Sequence, residues 1–553
     1  LKDKIFDFNN IKLEYDNVSF VSNKINIIKN QTDYEVIGDF NNKRGLININ
    51  SISNLLNSNI DFLDKKKIIL ESKNNFSFKI DDKRLIKDLS FKSNILFDKI
   101  FINEKYQNLI FLNNGKINTE YSNKNLNIKV DSDYSFLKDE YNNKEDKKNI
   151  IINIQKDDNK ELNVKSIIKN KKTKISSDEF DKYIKFNKDY IKDQKVKFSS
   201  DSIVSFKIDK LHKIKNLKIN SNLNLENIKI DYISNRIKKL FPNYKNEIFF
   251  NNNQLEFEYT KDKTLIKAIG RYSIDKKNYD NFEFELNDIN KKINFDTYLQ
   301  VNTNPLSIKE LDYKKKKDVN LKINARGDYR KNYGFLFNDI IFADNKNKII
   351  VSNLNLSKNY KVIDIDGIEL NFFNKNNKLN DLKIYKNNNV YELKGKYFDG
   401  ELLVKNQLKG NSNNTFLKIF KNFNSEIKLN LDKFYIGNQS YLKNIQGNIE
   451  IKNNKIQSGN INAILNKKNK FSLNIKTNSK NEKYTILYIE KPEPFIRNYK
   501  FIKGFKEGSL SYESIEKNGL SKSLLKIYDF KVKEVPVLAK ILTLASLQGI
   551  ADL

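Results

Sequence analysis

Apolar and polar residues alternate along most of this chain with a period of two. Leu126-Asn-Ile-Lys-Val130 places three apolar side chains on one face and two polar ones on the other. The same pattern runs from Leu217 through Tyr232, with a one-residue change of phase at Asn227, and includes Leu223 and Leu225. It returns in Leu255-Glu-Phe257-Glu-Tyr259, Phe282-Glu-Phe-Glu-Leu286 and Leu321-Lys-Ile323-Asn-Ala, and again in Ile427-Lys-Leu429-Asn-Leu431 and Ile449-Glu-Ile451. Strict alternation over short runs is the mark of strands with one buried and one wet face. Asn113-Asn114-Gly115 and Asp366-Gly367 fall between such runs and predict tight hairpins, because both pairs supply the positive φ that these turns need. Asp131-Ser-Asp133 also reads as a turn. The strands are therefore expected to be antiparallel neighbours in a meander.

Helical patterns are few. Ile233–Phe241 ends at Pro242, and Phe416–Phe423 and Phe495–Ile502 share apolar spacing at i, i+4 and i+7, which suggests an internal duplication. The last stretch, Val535 to Leu553, differs from all the others. Pro536 suits a first helical position. Val537, Leu538, Ile541, Leu542 and Leu544 then cover nearly every side of a helical wheel, predicting a helix over 536–551 that must be enclosed by something hydrophobic. With Lys540, Gln548 and Asp552 it is too short and too interrupted to span a bilayer, which takes ~20 mostly apolar residues.

So many half-apolar strands and so few helices create a packing demand, since the helices cannot cover the apolar faces. The sheet must curl on itself as a barrel, a sandwich or an open-sided trough. About 25 strands at ~4.8 Å would extend on the order of 120 Å, too many for one small barrel with a filled interior. An apolar trough of that length needs a greasy occupant, and lipid chains suit it at ~0.8 kcal/mol per buried CH₂. The lining residues are then Leu223, Leu225, Leu255, Phe257, Leu321, Ile323, Ile427, Leu429, Leu431, Ile449 and Ile451, with the C-terminal helix closing or shaping one end.

Composition narrows the alternatives. In 553 residues, Lys+Arg number 101 and Asp+Glu 69, giving a net charge of +32. The excess is mostly Lys, spread over the polar positions of strand after strand from Lys129 to Lys428 rather than gathered on one element, which argues against a nucleic-acid groove. There is no Cys and one His, His212, leaving neither a thiolate metal site nor the commonest nucleophile–base pairs. No cofactor, metal site or catalytic constellation is expected, and the chain reads as a non-enzyme. Met is also missing, even at position 1, which reads as a chain beginning inside a longer protein. Arg326-Gly-Asp328 lies within a strand pattern rather than at a loop tip. Asp364-Ile-Asp366-Gly367 lacks the further ligands of a calcium loop.

From about residue 410 onward the sequence resembles the C-terminal region of the AsmA-like family, the YhdP- and TamB-type bridge-like lipid transfer proteins of Gram-negative bacteria. The residues that carry this are Leu431-Asp-Lys-Phe-Tyr-Ile-Gly437, Leu442-Lys-Asn-Ile-Gln-Gly-Asn-Ile449, Ser458-Gly-Asn-Ile-Asn-Ala-Ile-Leu465, Phe501–Leu510 and, most specific, Tyr528–Leu553, which is similar to the closing strand and helix of alphaproteobacterial members. Upstream only the strand pattern agrees. The resemblance implies a long meandering antiparallel sheet curled into an open trough (a β-taco) with an apolar groove and a few short helices. It implies non-enzymatic phospholipid transfer between inner and outer membranes, in support of outer-membrane integrity, with membrane proteins as partners at either end and no nucleic acid. It also implies a periplasmic location and an inner-membrane anchor in an N-terminal segment absent from this sequence. The expected organisation is an N-terminal part of the groove over 1–210, a central part over 211–409 and the AsmA-like C-terminal region over 410–553. A structural, adhesin-like β-protein with a self-filled core is the alternative, and a basic nucleic-acid or anionic-membrane binder stands behind it.

Overall fold

A computed structural model describes residues 4–15, 18–48, 50, 67–101, 110–122, 124–136, 147–156, 161–176, 188–191, 194–211, 213–316, 319–408, 419–437, 439–499 and 505–531. His212 and the expected helix over 536–551, with Val537, Leu538, Ile541, Leu542 and Leu544, lie outside them. The fold is mostly β: among the described residues one 30-stranded sheet meanders along the sequence, a two-stranded ribbon joins Ser307–Ile308 to Tyr313–Lys314, and helices are few and short. The chain divides into two compact units. One comprises Leu1–Ile230 with Phe250–Gly270, the other Asp231–Phe249 with Arg271–Leu553.

In the first unit, consecutive strands from Lys4–Tyr15 to Ile214–Leu225 pair antiparallel, each with the next, and Ile214–Leu225 pairs with Glu247–Tyr259. Irregularities have local causes. The register shifts between Val21 and Ile25, where the backbone amides of Asn23 and Lys24 donate to Asp39 Oδ1 at 3.1 and 3.0 Å. Burial opposes ionisation of Asp39, but these donors and the side chains of Asn41 and Ser22 prevail and hold its carboxyl below the usual range.

The hairpin expected at Asn113-Asn114-Gly115 is instead a bulge within one continuous strand, Ile110–Ser122. Asn114 does take a positive φ of 48°, yet the chain runs on. Gly115 pairs with Phe97, whose ring lies where a Cβ would stand, 2.1 Å away, and Phe97 belongs to a buried cluster with Ile68, Ile100 and Leu112. Cross-strand burial on both sides of the triplet outweighs its turn preference. Asp131 and Asp133 likewise sit inside a strand, opposite Ile151 and Asn149.

In the second unit the pairing is again mostly antiparallel, but Val390–Asp399 lies parallel to Ser425–Tyr435, and Val362 makes an isolated parallel bridge to Phe420. The connection between the two parallel strands contains the helix Glu401–Leu408, which the sequence pattern did not mark. Lys378 ties its start to the sheet, 3.3 Å from Asp399 and 3.6 Å from Glu401. Asp366-Gly367 makes no hairpin. Val362–Asp364 and Gly367–Phe373 both pair with Lys348–Leu356, so the dipeptide is a jog within one strand line.

The helix expected over Ile233–Phe241 is Asn235–Leu240, capped by Ser234 Oγ accepting from Ile237 N at 3.3 Å. That expected over Phe495–Ile502 is described as Glu493–Asn498. Of its supposed counterpart, the described residues 419–423 form no α-helix, and Phe420 and Phe423 instead pack ring to ring at 4.6 Å. Among the described residues no helix is long and apolar enough to cross a membrane.

Candidate functional site: an apolar face of half-buried rows

Strand register decides which side chains stand side by side on one face. In the first unit, direct pairing links Phe20, Asn42, Ser72, Ile95, Ile117, Val130, Ile152, Ser166, Val204, Ile219 and Tyr259 into one file that crosses the strands in turn. Its apolar members are half-buried. The expected lining residues Leu223 and Leu255 are direct partners on the same face, flanked by Leu225 and Phe257, and all four are half-buried. The intervening Asn222, Asn224, Glu256 and Glu258 are exposed on the other face.

The second unit repeats this with a more uniform composition. Ala325, Ile340, Val351, Ile368, Ile384, Leu393, Leu429, Gly447, Ile461, Leu473, Leu487, Tyr512 and Leu525 form an unbroken file of register partners. At ~4.8 Å per strand it runs on the order of 55 Å without a polar side chain except the Tyr512 hydroxyl. From Ala325 to Ile461 the residues are half-buried; Leu473, Leu487 and Tyr512 are buried.

Below this file, the strand ends carry a closed core. Val301, Leu306, Leu321, Phe372, Leu465, Ile489 and Leu510 are at most 1% exposed. The helix Glu493–Asn498 adds Phe495 and Ile496 to it and is fastened by Asn498 Nδ2 and Tyr499 OH, which donate to Ile436 O at 2.5 and 2.7 Å. At the other strand ends Tyr391, Phe420, Phe423, Ile451 and Ile456 are buried together with Val362 and Ile365.

The expected lining set thus divides. Leu223, Leu225, Leu255, Phe257, Ile427, Leu429 and Ile449 sit in half-buried rows. Leu321, Ile323, Leu431 and Ile451 are packed by the chain's own side chains. Period-two patterning distinguishes one face from the other but says nothing of depth along a strand, so it could not separate these classes.

Sequence reasoning also missed the small polar residues on the apolar face of the first unit. Ser22, Asn42, Ser72, Asn74, Ser93, Ser166, Thr173, Ser200 and Asn253 are all buried. Several satisfy one another: Ser93 Oγ donates to Asn74 Oδ1 at 2.6 Å, Asn74 Nδ2 to Ser72 Oγ at 2.9 Å, and Asn170 Nδ2 to Ser200 Oγ at 2.7 Å. The signal was available as Ser and Asn at the inward phase of strands such as Ser72-Lys-Asn74.

The other motifs have structural explanations. Arg326 pairs with Asp339 at 2.6 Å inside the strand Leu321–Arg330. Asp364 is engaged by Lys386 Nζ, at 2.6 Å from Oδ1 and 2.7 Å from Oδ2, and Asp366 accepts from Asn353 Nδ2. Burial opposes ionisation of Asp364, but the Lys386 ammonium and its other donors keep the carboxyl below the usual range, so a lysine takes the place a calcium ion would need. The chain matches no protein-family model and no curated protein.

Proposed function

We propose that the chain is a lipid conduit of the AsmA-like kind, curled into an open trough whose apolar face carries phospholipid acyl chains between the inner and outer membranes of a Gram-negative envelope. The observation that carries this is the unbroken file from Ala325 to Leu525, apolar along its length and half-buried over its first part. The resemblance of the tail to the AsmA-like C-terminal region adds to it.

The mechanism is partition. Each methylene leaving water contributes ~0.8 kcal/mol, and a row of similar side chains makes successive positions along the face nearly equal in energy, so a chain slides without a deep trap. Headgroups stay in water on the open side. No bond is made or broken, no cofactor takes part, and no nucleic acid is bound. The exposed lysines of the opposite face keep the sheet soluble and discourage stacking of one sheet on another. The protein works in the periplasm, held at the inner membrane by a segment outside this sequence.

The chain purified without detergent should carry phospholipid, more than one molecule per chain by native mass spectrometry and lipid extraction. A chain that arrives lipid-free and takes up none from vesicles would contradict the proposal and favour a self-filled structural role.

A further inference from the structure

The outer face of the sheet changes character at the last three strands of the second unit. Register partners Lys428, Asn448, Asn460 and Asn474 form an exposed polar file on that face. The same file then passes to Ile486, Glu513 and Leu524, on the strands Lys483–Ile489, Lys506–Lys517 and Leu520–Lys531. Around it Tyr484, Ile486, Tyr488, Ile515, Leu524 and Tyr528 are between 37% and 51% exposed. None of them belongs to the inner face, whose phase is held on these strands by Leu487, Tyr512 and Leu525. An apolar patch on an otherwise wet face marks a docking surface.

One charge stands in the middle of the patch. Glu513 lies directly between Ile486 and Leu524, is exposed, and has no ion-pair partner among the described residues. The matching cover is an apolar surface that bears a single cation. The chain carries such a segment directly after Leu520–Lys531. Between Val537 and Ile550, outside the described residues, Lys540 is the only charged residue. In the helix that the sequence predicts over 536–551, Val537, Lys540, Leu544 and Leu547 share one side.

The reach fits as well. Lys531 is seven residues along the strand from Leu524, the partner of Glu513, or about 23 Å at ~3.3 Å per residue. Folding back, residues 532–536 extend about 17 Å and the first helical turn adds ~6 Å. Lys540 then stands level with Glu513, and the two long side chains span the gap between helix and sheet. One further step of about 6 Å along both elements brings Leu544 level with Ile515.

We propose that residues 537–550 dock as a helix on the outer face of the last three strands, with Lys540 paired to Glu513 and Leu544 against Ile515. The docked tail hides a patch that would otherwise stack on a second sheet or enter a membrane. It lies outside the trough and does not rest on the lipid path.

The chain has no cysteine, so introduced thiols report alone. Ile515→Cys with Leu544→Cys is treated with a short bis-maleimide, beside Lys428→Cys with Leu544→Cys as the control. Lys428 is exposed on the same face, five strands and ~24 Å away. The Ile515 pair should link within one chain at least about tenfold faster than the control, because docking raises the local concentration of the tail. Adding Lys540→Glu or Glu513→Lys should slow that linkage about two- to fivefold, as for the loss of an exposed ion pair. Combining the two reversals should restore it. Melting curves check each variant, and Leu524→Cys takes the place of Ile515→Cys should that variant not fold. Equal rates for the two cysteine pairs overturn the proposal, because the tail then has no seat. Linkage only between chains overturns it in favour of a second copy. No linkage in buffer, with the chain carried down by anionic vesicles, overturns it in favour of a lipid surface. A charge-swapped chain that does not recover overturns the seat assigned to Lys540.

Discussion

Leu429→Asp is expected to abolish lipid movement along the second unit without unfolding it. Leu429 is half-buried midway along the apolar file, between Leu393 on one neighbouring strand and Gly447 on the other. A carboxylate there has no cation among its register neighbours, and an acyl chain passing it must strip its water, which costs several kcal/mol. A fall of at least about a hundredfold in transfer rate corresponds to only ~2.7 kcal/mol. The stability cost is small by comparison. A half-buried leucine contributes about 1–2 kcal/mol by burial, and the substituted side chain still reaches solvent. Lys428→Asp is the matched control, because Lys428 is exposed on the opposite face beside Asn448. Vesicle-to-vesicle transfer of a fluorescent phospholipid, with melting curves on each variant, separates the two effects. Normal transfer by a folded Leu429→Asp chain would mean that lipid does not pass Leu429.

The converse behaviour is expected of Phe372→Ala. Phe372 is fully buried at the strand ends and packs edge-on against Tyr313, ring centres 5.7 Å apart. Nothing can collapse readily into the space it leaves, because Val301, Leu306 and Leu321 around that margin are already close-packed. Removing a buried phenyl ring costs about 3–5 kcal/mol. Ile368→Ala, on the same strand but in the half-buried file, should cost about 1–2 kcal/mol. Urea titration of the unfolding transition reads both. Lipid retained per folded molecule should be unchanged in Phe372→Ala and reduced in Ile368→Ala. A Phe372→Ala loss no larger than that of Ile368→Ala would contradict the division between a packed margin and an open face.

Much of this fold is legible in the sequence, and the reason is physical. Where one face of a strand is wet, alternation is enforced residue by residue, so the runs around Leu255, Phe282, Leu321 and Ile427 all lie in strands. The phase change at Asn227 is real as well, since it separates Ile214–Leu225 from Ile228–Asp231. Turn chemistry is less reliable because it is weak beside burial. Asn114-Gly115 and Asp366-Gly367 have the residues of hairpins, yet neighbouring strands continue past them and hold the chain extended. The parallel pair and its helix Glu401–Leu408 left no mark, since a crossover is set by the order in which strands dock and not by any local pattern. The site was legible as a face but not as a depth. Leu429 and Leu431 look alike in sequence, and only the caps at the strand ends make one half-buried and the other closed.

Photocrosslinking at adjacent positions tests the central claim most directly. A photoreactive amino acid is placed in turn at Ile427, Leu429 and Ile461, and at their exposed neighbours Lys428, Asn430 and Asn460. With lipid bound, adducts should form at the first three positions and be absent at the second three. Equal labelling on both faces, or none on the apolar one, would contradict a lipid path along these strands.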